Sequence, residues 1–420
     1  MIIYRVKAGD TLASVARAHS ILPTLLADAN AIREGDPLVP GQALVITIPA
    51  ATYHVREGDT VASVARRHGM RRHRLWQMNP AISGSEALYP GMTLAISPAE
   101  PPRSSVSVLG YAAAATPPEE ILPTLPYLTF LAIDGGGLCE DGLPDLTKSR
   151  ELALAARRAG TVPLLVLSAV GSDGAAGEKS RTERLLSDPT RYRGLVQELC
   201  PRLTEVGYGG VLLDLPFVPE DRRDAYLSLV MQLRRRLGHS GSLITSVAPP
   251  HRAADEKDTA HLSSLGRASG ALSLETYDFA TRYGEPAPPA PYDRVCAAAE
   301  AACRAVRPQK LFLGISTRAQ DTAVGRSRGR VLPARDALTL ADADTVVSYD
   351  PVARAPYLSY RGEDGRHILF FEDAESFSEK LSLVERLGLG GITLYPSVSL
   401  PASLLSLLAT TFRIVKAHES

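Results

Sequence analysis

Two short stretches carry side chains suited to acid–base or hydrogen-bonding chemistry. In Tyr208-Gly-Gly-Val-Leu-Leu-Asp-Leu-Pro216 an apolar run, Val211 to Leu213, ends in a lone carboxylate, Asp214. In Leu274-Glu-Thr-Tyr-Asp278, Glu275 and Tyr277 stand two apart. On an extended strand those two share one side, and Asp278 points differently. A carboxyl group tuned by its surroundings can protonate a leaving oxygen, whereas a phenol with a pKa of about 10 is too weak an acid to replace it. The four cysteines, Cys139, Cys200, Cys296 and Cys303, show neither metal-ligand spacing nor a dense disulfide framework. Cys296 and Cys303 fall on one face of a predicted helix and read as packed thiols, and no metal or cofactor is expected.

These stretches belong to a series of short apolar runs: Val106–Tyr111, Tyr127–Ile133, Val162–Leu167, Gly210–Leu215, Leu243–Val247, Ala271–Tyr277, Lys310–Ile315 and Gly391–Tyr395. Amphipathic or Ala-rich segments such as Arg150–Arg158, Tyr226–Leu237 and Val295–Val306 separate them. Eight buried strands alternating with helices predict a (β/α)8 barrel over residues 107–420, with function at the C-terminal strand ends. Arg366–Phe371 is expected to be an extra strand in a small insertion after the seventh.

Residues 1–98 are a tandem repeat. Tyr4-Arg-Val-Lys-Ala-Gly-Asp-Thr11 recurs as Tyr53-His-Val-Arg-Glu-Gly-Asp-Thr60, His19 as His68, Asn30 as Asn79 and Pro40-Gly41 as Pro90-Gly91. Each copy (1–49 and 50–98) reads as strand, helix, helix, strand. Gly-Asp-Thr makes the turn, Asp or Thr caps the next helix, and Leu12, Val15 and Ala16 (Val61, Val64 and Ala65 in the second copy) form its apolar stripe. Pro98-Ala-Glu-Pro-Pro-Arg-Ser-Ser105 lies across the predicted linker, 99–106.

The repeat resembles LysM, a βααβ module for N-acetylglucosamine-containing glycans. The resemblance implies a shallow groove made by Gly9, Asp10, Thr11 and Leu12 with Ala31 and Ile32, and in the second copy by Gly58, Asp59, Thr60 and Val61 with Ala81 and Ile82. For the Asp10 and Asp59 side chains, a plain helix cap stands level with a glycan contact. The second copy also carries Arg66, Arg67, His68, Arg71, Arg72, His73 and Arg74. A solvated basic face is the preferred reading, over attraction to an anionic wall polymer. Trp76 reads as core rather than as a sugar platform.

The large domain resembles glycoside hydrolase family 18, and with its amino-terminal repeats the chain resembles spore cortex-lytic or germination glycosidases. On the family pattern D-G-x-D-x-D-x-E, Asp214 takes the last aspartate, Gly209 the first, and Pro216 the place of the catalytic glutamate. Pro219-Glu-Asp-Arg222, Phe370-Phe-Glu-Asp373 and Gly390-Gly-Ile-Thr-Leu-Tyr395 also match, although the segment after Asp214 is one residue short. The resemblance implies substrate-assisted hydrolysis, in which the glutamate protonates the leaving oxygen and the substrate's N-acetyl oxygen attacks. Asp214 and Tyr277 would orient that acetamido group, Asp278 would contact sugar, and Tyr395 would replace the family's tryptophan floor. Proline has no proton to give. Glu275 is the one nearby substitute, with a buried carboxylate paired to a barrel Arg or Lys as the blander alternative.

With 45% hydrophobic and 22% charged residues the composition is ordinary for a globular chain, and the net charge of +0 gives no general attraction to nucleic acid. No run is long and apolar enough to span a membrane, and Met1-Ile-Ile-Tyr-Arg-Val6 leads into a strand without the marks of a signal peptide. The expectation is a peptidoglycan- or chitin-like-glycan-binding spore-envelope protein, made in the mother-cell cytoplasm, with spore coat proteins as possible partners and an inactive barrel. The alternative is a glycosidase with Glu275 as displaced acid.

Overall fold

The computed structural model describes residues 1–33, 35–135, 137, 146–169, 174–215, 218–249, 256–277, 279, 286–326, 329–342, 344–398 and 400–416, with 174–178 and 256 described by backbone alone. Pro216, Asp278 and Cys139 lie outside the described residues.

The barrel has eight parallel strands: β1 (Ser104–Ala113), β2 (Phe130–Asp134), β3 (Val162–Ser168), β4 (Gly210–Asp214), β5 (Ser242–Val247), β6 (Ala271–Leu274), β7 (Leu311–Ser316) and β8 (Gly391–Tyr395). Each pairs with the next, and β8 closes the ring on β1 through Gly391 to Leu394 opposite Ser107 to Gly110. The predicted runs find their strands, with two shifts. Tyr127 sits in a 3-10 turn, Leu125–Tyr127, ahead of β2. β6 ends at Leu274, so Glu275 and Tyr277 stand just beyond it. A short strand, Phe412–Ile414, adds to the start of β1.

Side chains alternate across each strand, and two cores follow. Leu109, Tyr111, Ala132, Leu164, Val166, Leu212, Ile244 and Phe312 pack inside the ring. Val108, Leu131, Ile133, Leu165, Leu167, Val211 and Leu213 face the helices. Asp214 is two residues from Leu212, which directs it to the ring interior at the C-terminal end.

Gly209 is set by packing. A Cβ there would lie 2.5 Å from Val162 Cγ1.

The insertion after β7 is larger than the single strand expected. It is a five-stranded antiparallel sheet in the order Arg330–Pro333, Arg318–Ala323, Gly365–Phe370, Ala355–Gly362 and Ser348–Asp350. Its polar strands, such as Arg-Ala-Gln-Asp-Thr-Ala from Arg318 to Ala323, lack the alternation that marks a strand in sequence.

Each amino-terminal repeat is a βααβ unit. The first pairs Ile2–Arg5 with Ala43–Ile46 around helices Leu12–Ala18 and Pro23–Asn30. The second pairs Pro49–His54 with Thr93–Pro98 around helices Val61–Arg67 and Arg72–Met78. Asn30 and Asn79 explain their recurrence: each amide side chain bonds the last strand of its unit, to Val45 and Ala95 respectively.

Both units dock on the barrel. The last helix, Ala402–Thr411, buries Leu404, Leu405, Leu407 and Leu408 around its circumference. A helix apolar all round needs cover on every side. Its outer side meets the second helices of both repeats, with Ser406 Oγ donating to the Ala29 carbonyl at 3.2 Å. Elsewhere Gln77 Nε2 donates to Pro126 at 2.8 Å, Ser83 Oγ to Pro123 at 2.6 Å, and the Val347 amide to Pro40 at 2.9 Å.

Candidate functional site

The two repeat grooves are built alike at their polar edge. Thr11 and Thr60, not the neighbouring aspartates, cap the first helices, each in a capping box with Ser14 or Ser63. Asp10 instead accepts the Tyr4 hydroxyl and the Lys7 amide, both at 2.7 Å. Asp59 does the same with Tyr53 at 2.6 Å and Arg56 at 2.9 Å, and takes Arg67 as well. The helix-cap reading of these aspartates is thereby corrected: they tie the turn to the first strand. The backbone amide of Lys7 and then the Tyr4 hydroxyl hold the Asp10 carboxyl below its usual range. At Asp59 the order is Tyr53, then Arg56.

The grooves differ at their apolar edge. In the first unit Gly9, Thr11 and Ala31 are exposed and Leu12 and Ile32 half-buried. In the second, Gly58, Thr60 and Ala81 are exposed, but Val61 and Ile82 sink into the unit's own core.

The basic cluster of the second unit is mostly engaged. Arg67 lies over Tyr53, Arg72 pairs with Glu86 at 2.9 Å, and Arg74 is directed into the barrel seam. Trp76 is half-buried against that unit's core and donates its indole N–H to Ser85 at 2.8 Å.

At the barrel mouth Asp214, Glu275, Tyr277 and Tyr395 come together. Burial pushes the Tyr277 phenol well above its ordinary value, and the charges of Glu275 and then Asp214 push it the same way. Tyr111, from the end of β1, is raised by the same causes: burial first, then Tyr277, Asp214 and Glu275. Such phenols stay neutral and are poor sources of a proton. Glu275 Oε1 accepts the Ser246 hydroxyl at 2.7 Å. Among the described residues this serine, rather than an Arg or Lys, is its partner, which corrects the ion-pair expectation. The Tyr395 ring is stacked on Tyr277 with centroids 4.7 Å apart, meets Tyr111 edge-on at 5.1 Å, and has the Arg318 guanidinium 4.5 Å from its centroid. A sugar-stacking floor needs an open face, and here three side chains crowd the ring.

Tyr111, Ser246 and Arg318 are the residues sequence reading passed over. Tyr111 and Ser246 fall at or near the C-terminal ends of their strands, which was the available signal. Arg318 begins an insertion strand and had none.

Comparison with known proteins agrees with this architecture. The model of glycosyl hydrolases family 18 matches residues 128–397, and that of the LysM domain matches 4–47 and 53–97. The cortical fragment-lytic enzyme of Bacillus subtilis (strain 168) is 27% identical over 435 residues, covering 99% of both chains. The crystal structure of the Bacillus cereus spore cortex-lytic enzyme SleL superposes with a TM-score of 0.80 at 24% identity, covering 99% of both chains. A chitinase from Chromobacterium violaceum shares the barrel alone, with a TM-score of 0.62 at 20% identity over 74% of this chain and 100% of its own. A family match across most of the chain, on a closed eight-stranded barrel preceded by two LysM modules, makes this protein a member of glycosyl hydrolase family 18.

Proposed function

We propose that the protein binds N-acetylglucosamine-containing peptidoglycan of the spore envelope through its LysM modules, on a barrel that does not hydrolyse it. The observation that carries this reading is the sequence after Asp214: Leu215 and Pro216 stand where a general acid is required. Loss of a general acid typically costs ~10²–10⁴-fold in rate. The crowding of Tyr395 by Tyr277, Tyr111 and Arg318 works against substrate stacking as well. In the grooves, exposed backbone at Gly9, Thr11 and Ala31, and at Gly58, Thr60 and Ala81, offers hydrogen bonds to an acetamido group. Half-buried Leu12 and Ile32 offer contact to its methyl in the first module. The relatives' names place them in cortex lysis, which supports deposition on the spore, with spore coat proteins as neighbours. Fractionation finding this protein only in the medium of growing cells would refute that location.

A second reading has its own support. Glu275 shares the Asp214 and Tyr277 cluster and is only partly buried. As a displaced acid it would protonate the leaving oxygen from β6 rather than β4. Single-turnover assay on cortex muropeptides decides between the two. The silent-barrel reading expects no product above background. Product formed by wild type and lost in Glu275→Gln would establish the displaced-acid enzyme.

A further inference from the structure

Where the two LysM modules, the linker and the last barrel helix meet, the chain lines a half-open cavity of about 300 Å³. Ile48, Met78, Pro98 and Pro102 supply apolar wall, and Arg74 reaches the cavity from the helix Arg72–Met78. The guanidinium of Arg74 is poorly matched by its surroundings. Its hydrogen bonds both come from Nη1 and both are long, 3.2 Å to Gln77 Oε1 and 3.4 Å to the Ala409 carbonyl. Among the described residues no carboxylate pairs with it. A guanidinium carries five N–H donors, and a desolvated cation without a counter-charge is costly. Burial, followed by the charge of Arg413, lowers its pKa, and Tyr127 acts in the opposite direction. The acids that do line the cavity are exposed. Glu385 takes the Ser104 hydroxyl at 2.9 Å, and Glu100 sits in the linker.

A concave, partly apolar cavity at a domain seam, reached by the half-buried Arg74 guanidinium and with Arg103 exposed on its lining, has the form of a small-ligand site. We infer that this seam binds a carboxylate-bearing peptide stem of peptidoglycan, its carboxylate paired bidentately with Arg74. The inference rests on the LysM reading and sharpens it. The LysM grooves accept N-acetylglucosamine from any polymer, whereas chitin carries no carboxylate, so the seam selects peptidoglycan over chitin.

The test is calorimetric titration of the full chain with three probes: N-acetylmuramyl-L-alanyl-D-isoglutamine, the same molecule with its carboxylate amidated, and chitotetraose. Wild type should bind the acid about tenfold more tightly than the amide, the worth of a charge-assisted pair. Arg74→Gln should abolish that preference and leave chitotetraose affinity unchanged. Ser97→Phe, which fills the cavity and keeps Arg74, should also weaken the acid selectively, and it decides the matter should Arg74→Gln unfold. Equal affinity for acid and amide in wild type, or a preference that survives both variants, overturns the seam site. If chitotetraose binds and the carboxylate makes no difference, only the seam site falls. If chitotetraose does not bind either, the LysM reading falls with it.

Discussion

Single residues decide the chemistry. In the silent-barrel reading, Asp214 and Tyr277 are the groups that would orient an acetamido substituent, and Pro216 stands where the acid would be required. Replacing Pro216 by Glu is therefore not expected to restore turnover on cortex fragments, because the segment that follows Asp214 is one residue short of the family pattern. Robust hydrolysis by Pro216→Glu would show the framework to be intact. On that reading the missing acid is a matter of residue type at a strand end, which sequence states directly. The partner of Glu275 was not legible: Ser246 comes from a neighbouring strand, and pairing across β5 and β6 depends on register that sequence does not state. Asp10 and Asp59 offer a second residue-scale prediction. Their folded pKa values lie below the unfolded ones, so their hydrogen bonds stabilise the modules above about pH 4 and cease to do so as pH falls through the folded values. The thermal transition should drop in acid, and Asp10→Asn with Asp59→Asn should flatten that drop. An acid dependence unchanged in the double variant would assign it elsewhere.

Among elements, the insertion sheet contains a charged network centred on buried Asp321. Asp321 accepts Arg330 Nε at 2.8 Å and the Tyr360 hydroxyl at 2.7 Å, and pairs with His367 Nδ1 at 2.9 Å; His367 Nε2 reaches Asp364 at 2.6 Å. Asp364 first, and Asp321 after burial's opposing effect, raise the His367 pKa. A histidine raised on folding contributes stability that is complete below its unfolded value, about 6.5, and is lost as pH rises through the folded value. The sheet should therefore loosen on the alkaline side. Hydrogen exchange at Thr322 and Leu369 should quicken there in wild type, and His367→Gln should exchange fast at every pH. Little of this was visible in the sequence, because charged strands such as Arg318–Ala323 do not alternate. The barrel strands were visible because both their faces are covered, which leaves continuous apolar runs. The last helix was a missed signal of the same kind: Leu404, Leu405, Leu407 and Leu408 demand cover on all sides, and on the outer side that cover is the two LysM modules.

For the molecule as a whole, the modules pack on the barrel, and glycine marks the contacts. The Pro-Gly turn occurs in both modules, at Gly41 with φ +85° and at Gly91 with φ +93°. Only one of the two touches the barrel. A Cβ on Gly41 would lie 2.1 Å from the Val347 carbonyl oxygen in the insertion, whereas a Cβ on Gly91 would meet nothing within 4 Å. Sequence shows two equivalent glycines, because the difference between them lies in a contact spanning some three hundred residues of chain. Alanine at either position pays the left-handed backbone penalty of about 1–2 kcal/mol. Alanine at Gly41 must in addition push the module off the insertion sheet, straining the Val347–Pro40 hydrogen bond and the Arg5–Glu375 pair at 2.7 Å. Calorimetry should show Gly91→Ala lowering the transition of the second module modestly, with unfolding otherwise like wild type. Gly41→Ala should split off an earlier transition for the first module and loosen the insertion, seen as faster hydrogen exchange at Val347. The difference between the two variants is a measure of docking with the backbone strain cancelled. Identical thermograms would mean that the first module rests on the barrel without depending on it.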